Sequence, residues 1–319
     1  EYRRQRQMCI RDSDYGGHGM VDLSGALEKS CNDALMQIAA KEGIALFDKY
    51  QVLFGFGQST NVDLPGEPSD SSLSGLVYHA DNMGAVSLAI SSFGQGVTTS
   101  MMQVGTAFCS AINGGYYYEP SVVQRIEDEN GNIVRNLDPV LVRRTISEDV
   151  SAQMRQFLKN VVSEGTGKKA TVEGYEIGGK TGTAEKLPRG NGKYILSFIG
   201  FAPVDDPQVV IYVVADEPEL QSGSGEAAHL FADIAEAIFP YLNIYKTDET
   251  YDIDEATAED EPATPIYGGE APANDVAGGS DNPYVEQSEG ETTTETTTED
   301  PSATTEAPAQ DTTQEAPTG

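Results

Sequence analysis

The chain has little of what several common functional classes require. It has no tryptophan and only three cysteines, Cys9, Cys31 and Cys109, which form no Cys-x-x-Cys pair and no zinc-like spacing with a histidine. Its 20 lysines and arginines stand against 51 aspartates and glutamates, which gives a formal net charge of −31. An acidic chain is unsuited to binding nucleic acid, so we expect no nucleic-acid partner. We also expect no metal and no other cofactor.

Long hydrophobic runs are also absent. No stretch reaches the roughly 18 apolar residues of a membrane-spanning helix, and the chain begins at Glu1 without the pattern of a signal peptide. With 319 residues it can form one sizeable domain with extensions. We interpret it as a fragment that begins inside a longer protein.

Composition divides the chain into three parts. Residues 245–319 contain 20 acidic residues and one basic residue, and consist largely of Thr, Glu, Pro, Ala and Gly. Such a segment buries too little apolar surface to offset its ordering entropy, so we predict a disordered acidic tail that serves as a spacer, with specific binding as the alternative. Residues 1–13 are basic and lack an apolar period, which indicates a non-native or disordered N-terminus, or a native one that is poorly ordered. Residues 14–244 remain as a partial domain.

The pattern of this domain predicts an α+β fold. Helical spacing of apolar residues begins at Val21 and breaks near Ser30, and further helices are expected at about 44–54, 100–113, 147–163 and 225–242. Three short β-branched segments, 177–186, 194–202 and 208–216, have short turn-rich connections, which predicts an antiparallel sheet flanked by helices. Asn130-Gly131 predicts a hairpin turn within 116–145.

Two short motifs could carry chemistry. Lys180-Thr181-Gly182-Thr183 places polar residues inside a predicted strand, directly after Gly178-Gly179. Taken alone, Lys180 is equally well explained as a charge that protects an exposed sheet edge. Ser30-Cys31-Asn32 lies at a predicted helix start, where serine and asparagine are common simply as capping residues. The two motifs, 148 residues apart between Asn32 and Lys180, match the second and third signatures of penicillin-recognising serine enzymes.

Further segments strengthen the match. They are, in chain order, Gly55-Phe56-Gly57, Asp63-Leu64-Pro65-Gly66-Glu67, Ser92-Phe93-Gly94-Gln95-Gly96, Asn113-Gly114-Gly115, Gly165-Thr166-Gly167, Gly179-Lys180-Thr181-Gly182-Thr183-Ala184-Glu185-Lys186 and Phe198-Ile199-Gly200-Phe201-Ala202-Pro203. Together they resemble class B penicillin-binding proteins over about residues 14–242. The resemblance implies a penicillin-binding/serine β-lactamase-like transpeptidase fold. It also implies a peptidoglycan D,D-transpeptidase that cross-links stem peptides ending in D-Ala-D-Ala and is acylated by β-lactams.

The resemblance assigns catalytic roles to three residues. Ser30 would relay a proton to the leaving nitrogen, and Lys180 would supply positive potential and a proton link to Ser30. Asn32 would hydrogen-bond the substrate backbone and hold the general-base lysine.

The same resemblance assigns substrate binding to the strand. Thr181 and Thr183 would bind the terminal carboxylate of the substrate, and the backbone N–H of Thr183 would donate to the oxyanion. The strand that contains Gly182 would pair with the substrate backbone as an added β-strand.

One departure from the family pattern is decisive. The nucleophilic serine and its base lie in a Ser-x-x-Lys element upstream of Ser-x-Asn, but no serine of this chain has lysine three positions later. The resemblance therefore implies an N-terminally truncated chain without the nucleophile, the opening strands of the sheet or the membrane anchor. We expect the fragment itself to be inactive, and the sheet edge beside 208–216 to be exposed.

Several expectations concern the whole protein. The resemblance implies a membrane-anchored protein on the extracytoplasmic face of the cell membrane, associated with the wall-synthesis machinery. The alternatives are a β-lactam-sensing or non-catalytic wall-binding domain, and a β-lactamase or D,D-carboxypeptidase. The sequence does not distinguish division, elongation and sporulation.

Overall fold

The structure, a computed structural model, describes residues 7–9, 18–188, 190–219 and 225–247. These residues belong to one compact unit, Glu1–Asp252. The predicted acidic tail lies outside the described residues apart from 245–247, and the predicted N-terminal segment apart from 7–9. None of the helices in the described part combines the length and the apolar character that crossing a bilayer requires.

The first half of the domain is mainly helical. Its elements are β1 (Gln7–Cys9), β2 (Gly19–Val21), α1 (Leu23–Glu28), α2 (Asn32–Glu42), α3 (Ile44–Leu53), α4 (Asp70–Leu73), α5 (Ala85–Ser91) and α6 (Met101–Ile112). Strand β2 pairs with β1, so the helix predicted from Val21 begins two residues later. The reason is local, because the Asp22 side chain accepts from the Gly25 N–H and caps α1. Ser100 and Gln103 form a capping box at the start of α6.

Two small ribbons and a long helix follow. They are β3 (Tyr116–Tyr118), β4 (Arg125–Glu127), β5 (Ile133–Asn136), β6 (Leu141–Arg144) and α7 (Glu148–Ser163). Strands β4 and β5 form the hairpin that Asn130-Gly131 predicted, whereas β3 pairs with β6. Ser147 caps α7 by accepting from the Val150 N–H.

The last third is an antiparallel meander packed under a helix. Its strands are β7 (Gly178–Glu185), β8 (Tyr194–Ala202) and β9 (Val209–Asp216), and α8 (Gly225–Tyr241) follows them. The strand order is β7-β8-β9, with Lys180 opposite Ile199 and Ile199 opposite Tyr212. The predicted antiparallel sheet is confirmed. Within the described residues β7 and β9 are its two edges, so each has one side without a strand partner.

The core lies on both faces of this sheet. Phe198 of β8 packs against Phe231 of α8, with ring centroids 4.8 Å apart, and both rings are fully buried. Three residues further along β8, Phe201 points to the other face and joins Ile112 of α6 and Leu158 of α7. The sheet is therefore held between α8 and the pair α6 and α7, which fixes the position of β7 and its motif.

Candidate active site

Strand β7 presents its polar motif because two glycines let it approach the core closely. A Cβ on Gly179 would lie 2.4 Å from the Phe198 ring and 2.8 Å from the Ile199 carbonyl oxygen. A Cβ on Gly182 would lie 2.4 Å from the Ser197 hydroxyl oxygen. All three distances are shorter than real Cβ contacts. Packing requires glycine at position 179, because a backbone oxygen and a buried ring lie there, whereas at Gly182 the near atom is a side-chain hydroxyl of the paired strand.

Ser30 lies in the break between α1 and α2, as the sequence predicted. Its φ is 48°, a left-handed conformation that is uncommon outside glycine. The next residue, Cys31, is fully buried and disulfide-bonded, which anchors this turn. The turn is thus held in a strained conformation that turns the Ser30 side chain towards β7.

Lys180 links the two motifs. Its Nζ donates a hydrogen bond to Ser30 Oγ across 150 residues of sequence, and a second to the Thr181 carbonyl oxygen at 3.0 Å. Burial lowers the pKa of Lys180 from its ordinary 10.5 to about 8. Within the described residues no carboxylate forms an ion pair with it. Lys180 is therefore a half-buried cation whose neighbours are neutral hydroxyl and carbonyl groups.

Thr181 contributes a hydroxyl beside this cation. Its Oγ1 lies 3.4 Å from Lys180 Nζ and 3.1 Å from Thr166 Oγ1. Thr181 is half-buried and Thr183 is exposed on the same strand. The site therefore combines a positive charge with hydroxyl donors on a strand whose outer side has no strand partner in the described part.

The structure brings together some of the predicted residues but not all. Ser30, Lys180 and Thr181 form one hydrogen-bonded group. Asn32 is the first residue of α2, half-buried, and its side chain makes no hydrogen bond to a residue in the described ranges. The roles of Asn32 and Thr183 stay predictions, because both would act on bound substrate.

Thr166 is the residue that sequence reasoning missed. In the sequence, Gly165-Thr166-Gly167 is only one of the segments that resemble the family, and the resemblance assigns it no role. The structure places the Thr166 hydroxyl against Thr181, 15 residues away in sequence. No local pattern signals this contact, because it depends on the packing of α7 against β7.

The Asp-Leu-Pro-Gly-Glu segment has a structural explanation. Glu67 accepts hydrogen bonds from the Ser59 hydroxyl at 2.6 Å and from the Thr60 N–H at 2.7 Å. Asp63 accepts from the Ser121 hydroxyl and from two backbone N–H groups that follow it. These carboxylates fasten the loop to its neighbours and are not part of the Lys180 site.

Comparison with known proteins identifies the domain. A family model described as the penicillin binding protein transpeptidase domain matches residues 2–236. Stage V sporulation protein D of Bacillus subtilis is 38% identical over 235 residues, which are 72% of this chain and 36% of that protein. PbpB of Mycolicibacterium smegmatis is 31% identical over 252 residues, which are 74% of this chain and 38% of that protein.

Solved structures agree with the sequence matches. Penicillin binding protein 3 from Mycobacterium tuberculosis, complexed with ampicillin, has a TM-score of 0.64 at 28% identity, covering 74% of this chain and 55% of that one. The transpeptidase domain of Burkholderia pseudomallei penicillin-binding protein 3 has a TM-score of 0.64 at 27% identity, covering 75% of this chain and 71% of that one. The predicted transpeptidase fold is confirmed. The chain spans little more than a third of the length of the curated relatives described above.

Proposed function

Because the chain belongs to the penicillin-binding protein transpeptidase family, we propose that its site binds the D-alanyl-D-alanine end of peptidoglycan stem peptides for D,D-transpeptidation. The transferred acyl group would come from one stem peptide and the accepting amine from another. β-Lactams would occupy the same site and acylate the whole protein. This proposal names a substrate for the group formed by Ser30, Lys180 and Thr181.

The observation that carries the proposal is the Lys180 ammonium, which has no carboxylate partner among the described residues. A partly buried cation without a counter-ion favours an anionic ligand, because the anion replaces the solvation that burial removes. The terminal carboxylate of a D-Ala-D-Ala peptide supplies that anion, and the Thr181 hydroxyl beside Lys180 can donate to it. The peptide backbone would add to β7 as an extra strand, using the open edge.

The contact between Lys180 and Ser30 fits the proton transfer that acyl transfer requires. When a serine attacks the penultimate carbonyl carbon, the C–N bond to the last D-Ala breaks and its nitrogen must gain a proton. Ser30 Oγ–H would give that proton, and Lys180 Nζ–H would replace it through the existing hydrogen bond. A lysine with its pKa lowered to about 8 releases a proton near neutral pH more readily than an ordinary lysine.

The attacking serine belongs to the proposal for the whole protein. No serine of the chain has lysine three positions on, so the serine and its base would lie in a part of the protein outside these 319 residues. Asn32 would hold the substrate backbone, and the Thr183 N–H would donate to the oxyanion. The absent Ser-x-x-Lys is also what favours the second candidate, a non-catalytic domain that senses β-lactams or binds the wall.

Further parts of the proposal concern the location of the whole protein. We assign residues 14–244 to the transpeptidase domain and the acidic residues 245–319 to a spacer. The whole protein would be anchored in the cell membrane, with this domain on the extracytoplasmic face where stem peptides are found.

A binding measurement on the chain tests the substrate assignment. We expect N-acetyl-L-lysyl-D-alanyl-D-alanine to bind about 10- to 100-fold more tightly than its C-terminal amide, because only the acid offers a charge to Lys180. Titration of the ¹⁵N-labelled chain, followed through the backbone amides of β7, gives both dissociation constants.

A matched ligand and a matched variant serve as controls. The L-Ala-L-Ala peptide has the same charge and should bind more weakly than the D-Ala-D-Ala peptide. Lys186→Met removes a half-buried lysine directly after the same strand, and should leave the preference unchanged. Equal affinity of the acid and the amide for the wild-type chain would overturn the proposal.

A further inference from the structure

The loop Gly165–Gly167 contacts both parts of the fold that carry the site, the end of α1 before Ser30 and the strand β7. The Thr166 N–H donates to the Glu28 carbonyl oxygen at 3.0 Å, two residues before Ser30. A Cβ on Gly165 would lie 2.4 Å from that same oxygen, so only glycine permits this approach. The end of α1 and the Thr166 backbone are therefore held together, independently of the Lys180 contact.

The Thr166 side chain reaches from this loop to β7. Its hydroxyl oxygen lies 3.1 Å from the Thr181 hydroxyl oxygen, and either group can be the donor. Thr166 itself is exposed and Thr181 is half-buried. The two hydroxyls therefore form a short chain that leads from the exposed loop to the cation-bearing strand.

We propose that Thr166 is a positioning residue that orients the Thr181 hydroxyl towards a ligand carboxylate; this inference rests on the proposed function. A carboxylate only accepts hydrogen bonds, so Thr181 must donate to it. The Thr181 oxygen then keeps a free lone pair, and the Thr166 hydroxyl is placed to donate to it. Binding of the acid thus selects one direction of hydrogen bonding, in which Thr166 donates to Thr181 and Thr181 donates to the carboxylate.

The inference predicts a specific loss. Thr166→Val keeps the shape of the side chain but removes the hydroxyl, so the Thr181 hydroxyl loses the hydrogen bond that orients it. We expect affinity for N-acetyl-L-lysyl-D-alanyl-D-alanine to fall about five- to tenfold, while affinity for the C-terminal amide changes less than twofold. Thr166→Ser restores the hydroxyl and should restore the affinity for the acid. Thr166→Ala lacks the hydroxyl without adding apolar bulk and should behave as Thr166→Val does.

A double substitution separates positioning from simple loss of structure. If Thr166 acts through Thr181, then Thr166→Val should have no further effect in a chain that already carries Thr181→Val. Equal melting temperatures of the wild-type chain and Thr166→Val, measured by circular dichroism, are expected because the residue is exposed.

The outcomes of the titrations distinguish failure of the positioning role from failure of the proposed function. If the wild-type chain prefers the acid and Thr166→Val keeps that preference in full, the positioning role is wrong and the proposed function stands. If Thr166→Val weakens acid binding equally in the wild-type and Thr181→Val backgrounds, the residue does not act through Thr181. If the wild-type chain has no preference for the acid, both the proposed function and this inference fall.

Discussion

Lys180→Met is expected to stabilise the chain at pH 7 and to abolish its preference for the peptide carboxylate. Burial lowers the pKa of Lys180 from 10.5 to about 8. A depression of that size means that keeping the ammonium charged in the folded state costs about 3 kcal/mol. Methionine fills a similar volume without a charge, but the hydrogen bond to Ser30 is lost. We therefore expect a net gain in the free energy of unfolding of about 2 kcal/mol.

The gain should depend on pH with a definite sign. Between the folded pKa of about 8 and the unfolded value of 10.5, the unfolded chain binds more protons at this position than the folded chain does. The destabilisation from Lys180 is therefore complete below pH 8, is relieved as pH rises, and is absent above pH 10.5. The difference between the Lys180→Met variant and the wild-type chain should shrink over that interval.

Urea unfolding at pH 7 and at pH 9.5 measures this difference. Lys186→Met is the matched control, because Lys186 lies three residues after Thr183 and pairs with Asp216 and Glu217 at 2.8 Å each. Those ion pairs raise the pKa of Lys186, so its removal should bring no gain at pH 7. A Lys180→Met chain that is less stable than the wild type at both pH values would show that the buried ammonium is not strained.

Gly179→Ala is expected to destabilise the domain by about 3 kcal/mol, through overpacking next to the motif. The added Cβ would lie 2.4 Å from the ring of Phe198. That ring cannot move aside, because it is fully buried and packed edge-on against Phe231. Strand β7 must shift instead, and a shift of β7 separates Lys180 from Ser30. Thermal unfolding monitored by circular dichroism gives the loss of stability.

Gly105→Ala is the control for the same chemical change. Gly105 lies in the middle of α6, and a Cβ there would meet nothing within 4 Å. Alanine is the better helix former, so this variant should gain up to about 1 kcal/mol. Equal melting temperatures of the two variants would mean that the close approach of β7 to Phe198 is not a constraint.

The strands and their motif could be predicted from sequence because the signals are local. Short β-branched segments with Pro, Gly and Asp connections predicted 177–186, 194–202 and 208–216, and the structure has 178–185, 194–202 and 209–216. Turn chemistry at Asn130-Gly131 gave the β4–β5 hairpin for the same reason.

Tertiary packing decided what the sequence could not. Strand β3 pairs with β6 across an inserted hairpin, which no neighbour-pairing rule gives. On α8, Leu230 is 47% exposed, and the core takes alanines 227, 228 and 235 with two phenylalanines. Alanine fits where α8 lies close to the sheet. The spacing of apolar residues in the sequence does not predict the distance between the helix and the sheet.

The site, too, has residues that the sequence predicted and properties that only the fold shows. The resemblance gave Ser30, Lys180 and Thr181, and the structure joins them in one hydrogen-bonded group. The lowered pKa of Lys180 depends on its burial in the folded domain, and the Thr166 contact depends on the turn after α7. Neither could be obtained without the fold, because each joins segments that are distant or unrelated in local pattern.

The rate of covalent labelling by a fluorescent penicillin tests the central proposal most directly, namely that this site would dock substrate and relay a proton to a reaction whose serine would lie elsewhere in the whole protein. We predict no covalent label on the 319-residue chain, rapid labelling of the whole protein, and labelling at least about 100-fold slower for the whole protein with Lys180→Met. Covalent label on the chain itself, or labelling of the Lys180→Met protein at the wild-type rate, would contradict it.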